Sequence, residues 1–374
     1  MRPIYLALLL GCTSTHATPP AEVAAPHVQL DGAVSLRIST AIDSTLRARQ
    51  IPGAAVAVLH HDTLVFSGGF GLANIAERIP VNTETVFQIA SLTKVFTAMS
   101  IMMLVEEGKV SLDSPASRYL SWLPAKYSTI TVRQLLTHTS GVNPDLRREN
   151  VDEFDLDEFK RRLNEKPVIF PPGTSVQYAN TGFTLLSLIV EEASREEFGT
   201  FLRRRIFAPL GMVHTGYRVA EKNEPQHAKG YDLVNGQLQQ APHIFSGWGN
   251  SGIETNVDDM SKFARALDKR GLLSRASYDS MYTPSRLAND SVPRFTSNGM
   301  PTRFGFAWFI QNVNDRPVLS HGGAIAGFSS QLNRFVASGW TVIVLSNGKQ
   351  GADRRGQADA VAAVVADAMG ITTR

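Results

Sequence analysis

A single cysteine, Cys12, leaves this chain of 374 residues without the means to form an intramolecular disulfide. Beyond the N-terminus no apolar run approaches the roughly 20 residues that would span a bilayer. An excess of one charge is missing too: the formal net charge is +3, with no long Lys/Arg run, so nucleic acid is not expected as a partner. The nearest basic cluster, Arg203-Arg204-Arg205, lies in an amphipathic stretch and reads as a solvated helix face. No Gly-x-Ser-x-Gly elbow occurs, which argues against an α/β-hydrolase. Nor is there a His-Glu-x-x-His motif, and the pair His60-His61 falls in a predicted hairpin turn, so neither a metal nor an organic cofactor is expected. There is no repeat of fixed period and no low-complexity segment after residue 30. What the chain does have is 43% hydrophobic residues, enough for one large core or two connected ones.

The first residues differ from the rest. Arg2 supplies a positive start, Ile4 to Leu10 form an apolar stretch, and small residues follow, as in a secretory signal peptide. Export to the periplasm of a bacterium, or anchoring at a membrane, is the expectation. Cys12 in Leu9-Leu10-Gly11-Cys12 resembles a bacterial lipobox, in which the cysteine is lipidated; cleavage after Ala17 is the alternative. The Pro/Ala/Thr-rich segment from Thr18 to Pro26 suits a tether in either case. Residues 1–26 are therefore set apart from a catalytic domain over 27–374.

Val34, Ile38, Ile42 and Leu46 repeat at helical spacing, and Pro52-Gly53 ends the pattern. Ala54 to Leu59 and Leu64 to Phe70 read as a hairpin around His60-His61-Asp62-Thr63. Gln331 to Val336 and Trp340 to Leu345 read as a second hairpin, and Ala358 to Met369 as a closing helix. Between them helical patterns and Pro/Gly loops dominate. The spacing predicts an α+β fold: an antiparallel sheet built from both chain ends (about 27–88 and 296–374), flanked by helices, with a mostly helical insertion (about 89–295).

Chemistry is suggested by three segments. Ser91-Leu92-Thr93-Lys94 opens the apolar helix Val95 to Val105 and puts a hydroxyl and an amine on one helical face. Burial of Lys94 against that helix would favour its neutral amine, and the helix N-terminus would favour negative charge at the serine oxygen. The bland alternative is a serine N-cap with a surface lysine. Ser346-Asn347-Gly348-Lys349 has the same spacing but follows a predicted strand and contains a glycine, so it reads as a turn. Tyr178-Ala179-Asn180 precedes the helical run Phe183 to Ala193. Beside a lysine, Tyr178 could serve as a general base and Asn180 could hold a substrate amide and orient Lys94; a packed tyrosine and an Asn N-cap are the alternative. His321-Gly322-Gly323-Ala324 precedes the last predicted strands. Its glycines allow close backbone approach, so that the N–H groups of Ala324 and Ser91 could form an oxyanion hole; alternatively the segment is only a turn leading into a strand. His138 invites a Ser-His-Asp reading, but its place in a helix-ending loop suits a structural hydrogen bond better. Asp258 and Asp259 follow Thr255 at capping-box spacing and read as a helix start.

Taken in order, these segments resemble the serine β-lactamase and penicillin-binding-protein superfamily, specifically its class C β-lactamase-like branch of esterases, D-aminopeptidases and D-alanyl-D-alanine carboxypeptidases. Ile51-Pro52-Gly53-Ala54, Leu135-Leu136-Thr137-His138-Thr139-Ser140-Gly141, Pro209-Leu210-Gly211-Met212 and Gly327-Phe328-Ser329-Ser330 extend the resemblance over most of residues 30–370. It implies Ser91 as the acylated nucleophile, Lys94 as its activator and Tyr178 as a proton shuttle. Asn180, His321, Gly322 and Gly323 would contact substrate. Two departures stand out. Ala179 replaces a serine, and His321-Gly322 replaces a Lys-Thr pair that helps to hold the carboxylate of a β-lactam or peptide. The expectation is thus a serine hydrolase acting on a small ester, amide or peptide. The alternatives are a β-lactamase or D-alanyl-D-alanine carboxypeptidase, and, from another class, a non-catalytic protein that binds peptidoglycan fragments.

Overall fold

The run Gly53–His60 is apolar on both faces because it becomes a central strand, β1, covered on both sides. In the computed structural model, residues 30–144, 146, 155–218, 226–244, 248–297, 300–313, 315–349 and 356–371 are described. Cys12, Ala17 and the proposed signal and tether over 1–26 lie outside the described residues.

Helix α1 (Gly32–Arg49) precedes β1, which turns at His61-Asp62 into β2 (Thr63–Asn74) and then the short β3 (Ile79–Pro80). Strand β4 (Phe87–Gln88) leads through the turn Ala90–Leu92 into α2 (Thr93–Glu106). The middle of the chain carries α3 (Val132–Leu136), α4 (Leu156–Glu165), α5 (Asn180–Ser194) and α6 (Phe198–Leu202). It also carries strands that helical patterning hides: β5 (Gly216–Tyr217), the hairpin β6 (Tyr231–Val234) and β7 (Gln237–Gln240), and β8 (Ile253–Thr255). Segments of two to four residues are too short to show a period, so they escaped the sequence pattern. Helices α7 (Val257–Lys269) and α8 (Arg275–Tyr282) follow. The chain then returns to the sheet with β9 (Phe295–Ser297), β10 (Met300–Phe304), β11 (Phe309–Val313), β12 (Arg316–Ile325), β13 (Phe328–Phe335) and β14 (Trp340–Ser346), and closes with α9 (Gln357–Ala368).

The nine-stranded sheet has the order β3-β2-β1-β14-β13-β12-β11-β10-β9 and is antiparallel throughout. The two chain ends meet where β1 pairs with β14, from Ala54 opposite Ser346 to His60 opposite Trp340. Alternation on β1 splits the core. Val56 and Val58 join Ile38, Ile42 and Leu46 of α1 and Val361 and Val365 of α9 on one face. Ala55, Ala57 and Leu59 face the helical side, where α2 is buried at every position from Thr93 to Leu104. A small sheet, β4-β8-β5, ties that helical side together close to Ser91.

Two local expectations shift. The segment His321 to Ala324 is not a turn ahead of a strand but the second half of β12. Helix α7 is capped by Asn256, whose side chain accepts from the N–H of Asp259 at 2.8 Å, one residue later than the Thr255 cap read from the sequence. Asp259 itself is buried and accepts from the N–H of His214 at 2.7 Å.

Ile42 is fully buried between α1 and the sheet, whereas Leu36 on the same helix is 68% exposed. Ile42→Ala should cost about 2–5 kcal/mol of unfolding free energy and Leu36→Ala no more than about 0.5 kcal/mol, read from urea denaturation midpoints.

Candidate active site

The chain makes a sharp, pinned turn just before Ser91. Ala90 has φ 48, an uncommon value for a residue with a Cβ, and it is held there from both sides. The N–H of Ile89 donates to Ile253 O of β8 at 3.0 Å, and Ser330 Oγ of β13 donates to Ile89 O at 2.7 Å. Gly323 of β12 lies directly against this turn. A Cβ built on it would collide with Ile89 O and sit 2.9 Å from Ser91 N, so only glycine lets the strand come this close. The glycines that read as punctuation in the sequence are thus a place where strand and helix start touch.

Lys94 is fully buried one helical turn further on. Its Nζ lies 3.0 Å from Ser91 Oγ, 2.8 Å from Asn180 Oδ1 and 2.8 Å from Asn250 O. The two carbonyl oxygens cannot donate, so they take two N–H bonds of the amine. The third tetrahedral direction of Nζ points at Ser91 Oγ. An ammonium places a hydrogen there, and a neutral amine places a lone pair that accepts the serine proton. A buried amine with this set of partners avoids the penalty of an unpaired buried charge.

Tyr178 lines the same cleft, with its ring centroid 4.9 Å from Lys94 Nζ. Asn180 is the first residue of α5, with Ala179 at the N-cap, so its side chain is spent on Lys94 rather than on capping. Sequence reasoning missed Asn250 altogether, because a backbone carbonyl leaves no residue-type signature. Its loop is clamped: Thr97 Oγ1 donates to Gly249 O at 2.6 Å, and Asn250 Nδ2 donates to Thr184 Oγ1 at 2.8 Å.

The cleft has a volume of about 420 Å3. Ser91, Tyr178, Asn180, Gly322, Gly323 and Ala324 all line it. Opposite Ser91, β11 pairs with β12 only as far as Ser320, and from His321 to Ile325 β12 pairs with β13. The expectation for His321 needs correction. Its ring does not line the cleft; it is 1% exposed and stacks on Phe309 at 4.8 Å, with Tyr178 at 6.4 Å. Nδ1 lies 2.7 Å from Gly322 O and therefore carries the proton it donates. Burial, and after it the charge of Lys94, push the imidazole down to about 3, so it is neutral. The reason is packing: the His321 ring is covered by Phe309 and Tyr178, and what this stretch of β12 presents to the cleft is Gly322, Gly323 and Ala324. Among the described residues lining the cleft there is no Lys or Arg, and the one carboxylate is Asp359. His138 is neutral for the same causes and accepts from the N–H of Ala179 at 3.1 Å, a structural bond rather than a triad contact with Ser91. Among the described residues no group of three or more His, Cys, Asp or Glu could hold a metal ion.

Comparison with known proteins places this geometry in context. A family model described as Beta-lactamase matches residues 38–366. Penicillin-binding protein 4* of Bacillus subtilis is 29% identical over 335 residues, covering 83% of this chain and 71% of that protein. The putative penicillin-binding protein PbpX of the same organism is also 29% identical, covering 84% and 75%. Among solved structures, the octameric penicillin-binding protein homologue from Pyrococcus abyssi superposes with a TM-score of 0.77 at 26% identity, covering 89% of this chain and 77% of that one. The penicillin-binding protein from Bacillus halodurans gives 0.73 at 28% identity, covering 88% and 98%.

Two outcomes follow from this geometry. Gly323→Ala should lower turnover of any substrate by about 100-fold, because the turn before Ser91 must shift; steady-state kinetics of the variant check this. The folded pKa of His321 lies below its unfolded value of about 6.5, so the unfolded chain binds the proton first and stability falls as pH drops from about 6.5 toward 3. Between pH 7 and 5 this amounts to about 2 kcal/mol, and urea unfolding of His321→Gln at the two pH values should show that much less pH dependence.

Proposed function

Because the chain belongs to the Beta-lactamase family of serine hydrolases, we propose that it hydrolyses small, uncharged or cationic ester and amide substrates through an acyl-enzyme on Ser91. One observation carries the reading: Ser91, Lys94 and Asn180 form a hydrogen-bonded unit at the floor of a cleft whose described lining contains no cation. Ser91 Oγ attacks the substrate carbonyl, and its proton passes to the Lys94–Tyr178 pair. The N–H groups of Ser91 and Ala324 receive the developing oxyanion. The leaving group departs with the proton, and water, deprotonated by the same pair, releases the acid.

The choice of ester or amide over β-lactam rests on the wall. An anionic substrate needs a cation to offset desolvation of its carboxylate, and His321 is neutral and buried behind the cleft lining. A second reading, acylation by penicillins or cell-wall peptides, draws on what the two Bacillus subtilis relatives are named for. Export is part of the proposal, with the products released outside the cytoplasm, and it is supported by Arg2 and the apolar stretch Ile4 to Leu10. Lipidation of Cys12 would hold the enzyme at a membrane.

Incubation with a fluorophosphonate should add one adduct at Ser91 by peptide mass spectrometry, and Ser91→Ala should take none. p-Nitrophenyl esters should be turned over far faster than nitrocefin. Absence of any adduct from fluorophosphonate and penicillin alike would favour a non-catalytic binder, and rapid nitrocefin turnover would favour the second reading.

A further inference from the structure

Tyr178 is gripped on both flanks by one residue that the reaction scheme does not use. The N–H of Gln177 donates to His138 O at 2.9 Å, and the N–H of Ala179 donates to His138 Nδ1 at 3.1 Å. The imidazole lies over the Tyr178 ring with centroids 4.5 Å apart and 33° between planes. His138 follows α3 and has φ 59, a left-handed conformation that few residues with a Cβ adopt. It is also 2% exposed. Accepting at Nδ1 fixes the proton on Nε2, and Nε2 is buried with no hydrogen-bond partner. The imidazole also meets Phe304, with centroids 4.8 Å apart and 60° between planes, and Phe183 at 5.1 Å.

Mere space-filling between Phe183 and Phe304 would not select this residue. A leucine or phenylalanine would fill the same volume without an unpartnered buried N–H, which costs stability. What those residues lack is an acceptor for Ala179. Burial and the charge of Lys94 keep the imidazole unprotonated, and only the unprotonated ring has a lone pair at Nδ1 for that N–H.

We propose that His138 is a positioning residue for Tyr178: by bonding the peptide groups before and after it and stacking on its ring, His138 fixes the phenol against Lys94 and Ser91. The proposal rests on the reading of Tyr178 as proton carrier. Displacing a proton-transfer group by about 1 Å is enough to lower turnover by about 100-fold.

The test is p-nitrophenyl ester hydrolysis by His138→Leu and His138→Asn, each in the wild-type and in the Tyr178→Phe background, with folding checked by thermal melting. His138→Leu should lower kcat by about 100-fold while KM stays within about threefold. His138→Asn keeps an acceptor oxygen where Nδ1 stood and tolerates the left-handed backbone, so it should recover at least about tenfold of that loss. In the Tyr178→Phe background the difference between histidine and leucine should nearly vanish, since the two positions act as one unit. A wild-type kcat in His138→Leu, no rescue by asparagine, or the same loss in both backgrounds would each overturn the proposal. Full activity of Tyr178→Phe alone overturns the proton-carrier reading and this proposal with it; loss in Tyr178→Phe beside wild-type kcat in His138→Leu removes only this one. Should His138→Leu not fold, His138→Asn and its double variant decide: a kcat deficit unchanged without the Tyr178 hydroxyl sinks the idea.

Discussion

A buried amine needs oxygen atoms around it, and meeting the need of Lys94 organises the catalytic half of the molecule. Three of its partners come from three separate elements: Ser91 before α2, Asn180 at the start of α5, and Asn250 in the loop before β8. Moving any of the three leaves a polar group unpaired in a site closed to water, a loss on the order of 1–3 kcal/mol or more for a charged group. The positions of α2, α5 and β8 are therefore coupled through one nitrogen.

Around this centre the sheet acts as a frame. Strand β12 runs past the end of its pairing with β11 and brings Gly323 against the turn that presents Ser91. Strand β13 reaches the same turn through Ser330, and β8 through Ile253. The strain at Ala90 persists because three strands over-determine it. On the other side of Tyr178, His138, Phe304, Phe309 and His321 form an aromatic bed whose histidines are uncharged. Lys94 is thus the basic group next to the phenol, and the two nearby imidazoles add no charge.

Much of the frame was legible in the sequence because it rests on period and composition. Ile38, Ile42 and Leu46 announced α1, the apolar run around Val56 announced a strand, and Phe96 to Leu104 announced a helix with no solvent face. Ser91, Lys94, Tyr178 and Asn180 were legible by spacing and by resemblance. Strands β5 and β8 were not, since two or three residues carry no period. His321 was expected at the cleft surface and is buried just behind it. Whether a side chain reaches a cleft or is covered depends on neighbours far away in sequence, here Tyr178 and Phe309.

The chain by itself determined which residue types stand at which spacing: a hydroxyl three before an amine on a buried helix, a phenol two before an amide, and paired glycines late in the chain. Those facts are local, set by helical geometry and by the conformations glycine allows. Only the tertiary structure decided that Asn250 lends its carbonyl to Lys94, that His138 holds the peptide groups on either side of Tyr178, and that the late wall offers backbone instead of an imidazole. A backbone oxygen is the same in every residue, and burial is a property of neighbours far away in sequence, so neither leaves a mark in the order of amino acids.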